Sequence, residues 1–455
     1  MQNINPISNA QNLTHSLLYL KKAIEYRLKN YYKENNALIT NLNEDDLAFY
    51  DDDSAFASFI KSHTPNFAEY FIILLALAPH IQPDFIEKII KESLPESGDF
   101  TEIGGQRDSE GRGFVPTGET ALFFLAGDDL DLRFAVQKFF SNEHWFVRDE
   151  VLFLEKAKSG NPFYSGRIIM NPEYIELFTA GYVSNPDFGP TFPAQNIYTQ
   201  MDWEDLVLSK PVQEQIEELK NWVEYNDELM DDWEMNKKLK PGYRVLFHGA
   251  PGTGKTLTAT LLGKYTNKMV YRVDLSTVVS KYIGETEKNL ENLFKKAARK
   301  DWILFFDEAD ALFGKRTNVS DAHDRYANQE VSYLLQRVEN FDGLVILSTN
   351  YKTNIDEAFL RRFNAIIKFP FPSYDERKKI WEKSFPKEIV FEKGYDIPAI
   401  AAQYELSGGS IINIVQFSCL KMLSNNKNYI ELEEVYKGIQ REMEKEGKIF
   451  KKISK

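Results

Sequence analysis

A chain of 455 residues is too long for one ordinary core, so two or three domains are expected, and its 43% hydrophobic and 27% charged residues exclude a disordered or fibrous protein. The net charge of -13 and a pI near 5.2 argue against general affinity for the nucleic acid backbone, which demands a surplus of Lys and Arg along the contact surface. The single cysteine, Cys419, cannot close an internal disulfide; it lies in the apolar stretch 411–422 and reads as a structural thiol, which suits a reducing cytoplasm.

The first residues lack the charged segment, apolar core and small-residue cleavage site of a secretory signal. Leu17, Leu20, Ile24 and Leu28 recur at helical spacing, so 13–32 is predicted as a helix. The acids at 44–46 and 51–53 then predict a solvated loop, which makes 1–60 a helical arm with an acidic loop. A domain over 61–184 follows, with helices expected at 67–78, 84–94, 120–126 and 131–140 and strands at 151–154 and 167–170. Its most hydrophobic run, 71–78, stops at Pro79, far short of the ~20 residues of a membrane span, and reads as a core helix. The glycines between Gly104 and Gly118 are not preceded by an apolar strand or followed by GK[ST], so they predict a surface loop and not a nucleotide loop. In 185–193, NPDFGPTFP, three prolines and a glycine suppress regular structure, and 185–200 is assigned as a linker.

Beyond it, apolar strands at 245–248, 269–274, 303–307, 344–349 and 366–369 alternate with helical patterns, which predicts an α/β domain over 201–371 built on a parallel sheet covered on both faces. Past Pro372 the pattern is helical only, at 374–385, 397–403, 409–423 and 431–445, giving a helical lid over 372–455.

Four motifs carry the chemistry. The segment GAPGTGKT, 249–256, follows a strand and opens a helix: glycines let successive N–H groups curl around phosphate oxygens, and the helix N-terminus adds partial positive charge. Lys255 is then placed to reach the terminal phosphates and the Thr256 hydroxyl to ligate Mg²⁺, the reading of a P-loop. The strand in ILFFDEAD ends in consecutive acids, with Asp307 suited to hold the metal through water and Glu308 to orient and deprotonate the attacking water. The strand in LVILSTN ends at Asn350, which is placed to hold the same water or the γ-phosphate. Arg361 and Arg362 follow a helical stretch; an arginine fork suits the charge on equatorial phosphate oxygens, although such a pair alone is more often a solvated helix end.

In order and spacing these motifs resemble the AAA family of ATPases from about residue 201 to the C-terminus. The resemblance implies a P-loop NTPase fold with a helical lid, ATP and Mg²⁺ as ligands, and a homo-oligomeric ring, a hexamer in relatives, in which Arg361 and Arg362 act as arginine fingers on the neighbour's nucleotide. It implies nucleotide contacts at Gly249, Pro251, Gly252, Thr253, Gly254, Lys255, Thr256 and Leu257, with Asp205 to Val207 along the adenine. Gly409 in LSGGSIINI resembles the lid position that packs on the nucleotide where no lid arginine exists. Tyr282 and Ile283 in SKYIGETEKN resemble the first pore loop of polypeptide translocases, and 314–328 would be a second central loop. His323 within it has no second His or Cys at ligand spacing, so a further metal site is not expected.

The runs DLSTVVSKYIGETEKNLENLF and FGKRTNVSDAHDRYANQEVSYLLQR resemble a bacterial subgroup with an N-terminal winged-helix-like domain, members of which are encoded beside extracellular contractile injection systems. LLALAPHIQPDFIEKII, PTGETALFFLAG and RIIMNPEYIELFTAG resemble parts of that N-terminal domain. Three classes stay open: a motor that remodels polypeptide through a central pore, an assembly or cargo-loading factor for contractile-tail components, and a nucleic-acid-directed ATPase, against which the acidic balance counts. No membrane partner is expected.

Overall fold

The computed structural model describes residues 6–31, 47–94, 101–107, 113–189, 192–274, 285–309, 332–350, 360–394 and 396–452. The chain divides into two compact units, Met1–Asn185 and Pro186–Lys455.

In the first unit, helix Pro6–Tyr31 buries Leu13, Leu17, Leu20, Ala23, Ile24 and Leu28 in the same core as Phe71 to Leu75. It is therefore a wall of this unit and not a separate arm, because an apolar stripe along a helix must be covered. Helix Phe67–Ile81 is started by a capping box between Asn66 and Glu69, is buried nearly all round, and runs through Pro79. That surround is what an all-apolar helix requires. Asp51 and Asp53 are exposed as expected, Asp51 pairing with Lys61 (2.7 Å), while the half-buried Asp52 accepts from Asn12 Nδ2 (3.2 Å) and from the Ser54 amide (2.9 Å). Glu44, Asp45 and Asp46 lie outside the described residues.

The described residues of the glycine-rich segment include one short strand pair. Strand β1 (Gln106–Arg107) pairs antiparallel with β2 (Phe114–Val115), and Gly105 sits at φ +92° with the Phe114 ring where a Cβ would be. Strands β3 (Leu152–Leu154) and β4 (Ile168–Met170) form a second antiparallel pair.

The second unit is mixed α/β. Its six-stranded sheet contains β5 (Ala194–Ile197), β6 (Tyr243–His248), β7 (Val270–Val273), β8 (Ile303–Phe306), β9 (Leu344–Thr349) and β10 (Ala365–Lys368) in the order β10-β6-β9-β8-β7-β5. The five strands from β6 to β10 run parallel. Leu304, Phe306, Val345 and Leu347 enter one apolar cluster and Ile303, Phe305, Leu344 and Ile346 another, so both faces are covered and the strands read as unbroken apolar runs. Strand β5 comes from the segment assigned as a linker and pairs antiparallel with β7. Phe192 seats it, edge-on to Tyr271 (5.7 Å) and Trp302 (6.1 Å). An edge strand bonds on one side only, so neighbouring prolines do not forbid it.

The lid comprises helices Tyr374–Ser384, Ile397–Gln403, Gly408–Ser424 and Leu432–Lys445 around a fully buried Trp381. It also holds a two-residue parallel pair, β11 (Val390–Phe391) with β12 (Tyr429–Ile430), too short to leave a period in the sequence. Cys419 packs against this core, and burial pushes its thiol up from the ordinary range, which disfavours the reactive thiolate. Among the described residues no helix is long and apolar enough to cross a membrane.

Because Ile24 is fully buried, Ile24→Ala is expected to cost about 2–5 kcal/mol. Urea unfolding followed by circular dichroism reads the cost in the transition of the first unit; an unchanged transition would mean that the helix is a detached arm after all.

Candidate nucleotide site

Parallel strands end on one edge of a sheet, and here β6, β8 and β9 deliver their C-terminal residues to the same place. After His248 the chain must reverse into helix Lys255–Thr266 within six residues. Gly249, Gly252 and Gly254 make this possible at φ +156°, +73° and +98°, values open to glycine and strained for other residues. At Gly249 a Cβ would collide with the Phe369 carbonyl. Thr253 Oγ1 donates to the Ala250 carbonyl (2.8 Å), and the Gly249 amide donates to Thr349 (3.2 Å), which joins the loop to β9. Lys255 is buried, and its ammonium donates to the carbonyls of Gly249 (2.7 Å) and Ala250 (3.0 Å) and to Asn350 Oδ1 (3.1 Å). Loop, lysine and the β9 terminus thus form one bonded unit.

At the end of β8, Glu308 adopts a left-handed conformation, φ +51°, which costs a non-glycine residue about 1–2 kcal/mol. Its amide donates to Asp307 Oδ1 (3.1 Å), and the next amide, Ala309, rejoins the sheet through the Ser348 carbonyl (2.8 Å). The kink lets two consecutive acids both reach the cavity wall, where a regular strand would send them to opposite faces.

A cavity of about 610 Å³ lies between the strand ends and the lid. Of the residues expected from sequence, Asp205, Val207, Pro251, Gly252, Thr253, Gly254, Lys255, Thr256, Leu257, Asp307, Glu308, Asn350 and Gly409 line it. Gly249 does not line it and instead begins the turn behind the wall. Arg361 and Arg362 are exposed and outside it. Tyr282, Ile283 and His323 lie outside the described residues.

Apart from Gly409, sequence reasoning missed the lid's share of the wall, notably Ile380, Lys383, Ile412 and Asn413. Lys383 donates to the Glu204 carbonyl and so ties the lid to the segment that carries Asp205. That segment is clamped from the other side as well: Lys264 bonds Asp202 (2.6 Å) and the Met201 carbonyl (3.1 Å), and the Lys220 ammonium stands 4.2 Å from the Trp203 ring centre. The Asp205 carboxylate turns back to the Asp202 amide (2.9 Å), so it shapes its own turn.

The oxygen donors fit a small hard cation. Thr256 and Asp307 offer a hydroxyl and a carboxylate on one wall. Ser348, one step past the last β8–β9 ladder pair, does not line the cavity, and its buried hydroxyl has no hydrogen-bond partner among the described residues.

The lid touches the loop directly, since the Gly409 amide donates to the Gly252 carbonyl (3.0 Å). A Cβ on Gly252 would lie 2.6 Å from Ser407 Oγ and 3.1 Å from Gly409 N. Gly252→Ala is accordingly expected to push the lid helix off the loop and weaken binding of a fluorescent ADP analogue at least about ten-fold. Unaltered affinity would refute the contact.

Residues 245–371 match the model of the family described as "ATPase family associated with various cellular activities (AAA)". Among curated proteins the chain is similar to the proteasome-activating nucleotidase of Pyrococcus horikoshii, 30% identical over 254 residues that cover 53% of this chain and 62% of that protein. It is likewise similar to those of Methanosarcina mazei (30%, covering 45% and 50%) and Aeropyrum pernix (33%, covering 45% and 51%). The chain thus spans 50–62% of the length of these relatives. The curled loop, the acidic kink and Asn350 all fall inside the span that matches this family's model.

Proposed function

We propose that this chain hydrolyses ATP as a ring-forming motor and spends the turnover on remodelling polypeptide. The observation that carries the reading is the convergence of Lys255, Thr256, Asp307, Glu308 and Asn350 on one cavity beside the glycine loop. Main-chain amides of the loop and the Lys255 ammonium bind the phosphate oxygens. Thr256 and Asp307 would hold Mg²⁺, which when bound offsets the phosphate charge. Glu308 takes a proton from the attacking water, while Asn350, fixed by Lys255, orients that water. The segment from Asp205 to Val207 and the lid residue Gly409 flank the base and sugar.

Arg361 and Arg362 stand outside their own chain's cavity, which supports their action on the nucleotide of a neighbouring subunit, with a hexamer as the form implied by family resemblance. Polypeptide as substrate is supported by the names of the relatives and by the resemblance of Tyr282 and Ile283 to a pore loop. The subgroup resemblance extends the proposal to contractile-tail components as the polypeptide handled, in the cytoplasm. Helices followed by the antiparallel β3–β4 pair support a winged-helix-like role for the first unit in recruiting a partner.

Glu308→Gln is expected to bind ATP with Mg²⁺ while turnover falls at least about a hundred-fold, because the phosphate contacts survive and the base is lost. Equilibrium binding and phosphate release check this, and near-normal turnover would remove Glu308 from its role. With the unaltered protein, an unfolded polypeptide is expected to stimulate hydrolysis; stimulation by duplex DNA alone would replace the polypeptide reading with a nucleic-acid-directed one.

A further inference from the structure

The sequence presents Arg361 and Arg362 as an undivided pair, but the structure treats them differently. The Arg362 guanidinium is engaged by the Glu339 carboxylate of its own chain. Arg361 is exposed and has no ion pair or hydrogen-bond partner for its side chain among the described residues.

The Glu339–Arg362 contact is held from both sides by one buried residue. Arg244, on β6, sends its guanidinium to the end of the helical residues 332–339: Nε donates to the Val338 carbonyl (3.1 Å), and Nη2 to those of Glu339 (2.6 Å) and Phe341 (2.9 Å). The Arg244 main chain grips the other side, its amide donating to Asn364 Oδ1 (2.9 Å) and its carbonyl accepting from the Asn364 amide (2.8 Å). Exposed ion pairs usually contribute little, because two long side chains must be ordered to form them. Here the main chain on either side of the pair is already fixed to β6, the strand that leads into the phosphate loop, so less freedom is left to lose.

We infer that the two arginines divide the work: Arg361 is the charge presented to the neighbouring subunit's nucleotide, and Arg362 is a positioning residue that, through Glu339, sets the angle of the tip. A guanidinium neutralised by a carboxylate has little net charge to offer a phosphate, whereas Arg361 keeps all of its own. The inference rests on the proposed action in trans, and the two can be tested apart.

Mixing Arg361→Ala subunits with Glu308→Gln subunits addresses action in trans: recovered hydrolysis upholds it, and no recovery removes both it and the inference. Given recovery, a double-mutant cycle decides the division of labour. Arg361→Ala is expected to lower kcat at least about a thousand-fold. Arg362→Ala and Glu339→Gln should each lower it about ten-fold, with the KM for ATP unchanged and the double variant no worse than either. The charge swap of Arg362→Glu with Glu339→Arg should regain most of what Arg362→Glu alone loses, since only the pair and not the sign at residue 362 matters. An Arg362→Ala loss as deep as that of Arg361→Ala, additive losses in the double variant, or a dead charge swap would each overturn the inference. Melting temperatures of the variants within a few degrees of the parent exclude misfolding as the cause, as surface substitutions allow.

Discussion

The second unit depends on a backbone that curls where side chains would forbid it. Between β6 and helix Lys255–Thr266, three glycines at positive φ turn the chain tightly enough for Lys255 to reach back to the carbonyls of Gly249 and Ala250 and across to Asn350. That bonding places the ammonium, the loop and the β9 terminus in one rigid group. The lid adds to it through the Gly409 amide, and the close approach at Gly252 leaves no room for a side chain.

Strand direction supplies the rest of the site. Parallel strands have their C-terminal ends on one edge, so the loop after β6, the acids after β8 and Asn350 after β9 meet without any long excursion of chain. The left-handed residue Glu308 breaks this regular scheme, and the break lets adjacent carboxylates both line the cavity. Local strain of this kind persists only where the surroundings hold it, here through the Ala309 bond to the Ser348 carbonyl.

Arg244 illustrates how a buried charge connects distant parts. Burial lowers its pKa, yet carbonyls from residues 241, 242, 338, 339 and 341 accept from its guanidinium, so the cost of removing it from water is offset by charge-assisted bonds. Those same carbonyls belong to the turn that begins β6 and to the end of the helix bearing Glu339. The exposed Glu339–Arg362 pair is thereby joined through a chain of hydrogen bonds to the strand that carries the phosphate loop.

The amino-acid order by itself determined the parallel strands, the glycine loop and the acidic strand end, because each is a local rule: unbroken apolar runs, residues able to adopt positive φ, and fixed spacing to Lys255 and Thr256. It did not reveal β5, since proline next to a strand reads as interruption until the strand is known to be an edge. Nor did it reveal that helix Pro6–Tyr31 is core, because the partner of an amphipathic stripe is never written beside it. The lid's wall residues Ile380, Lys383, Ile412 and Asn413 and the separation of Arg361 from Arg362 were likewise decided by tertiary structure. Each arises from segments far apart in the chain, and only packing brings such segments within reach of one another.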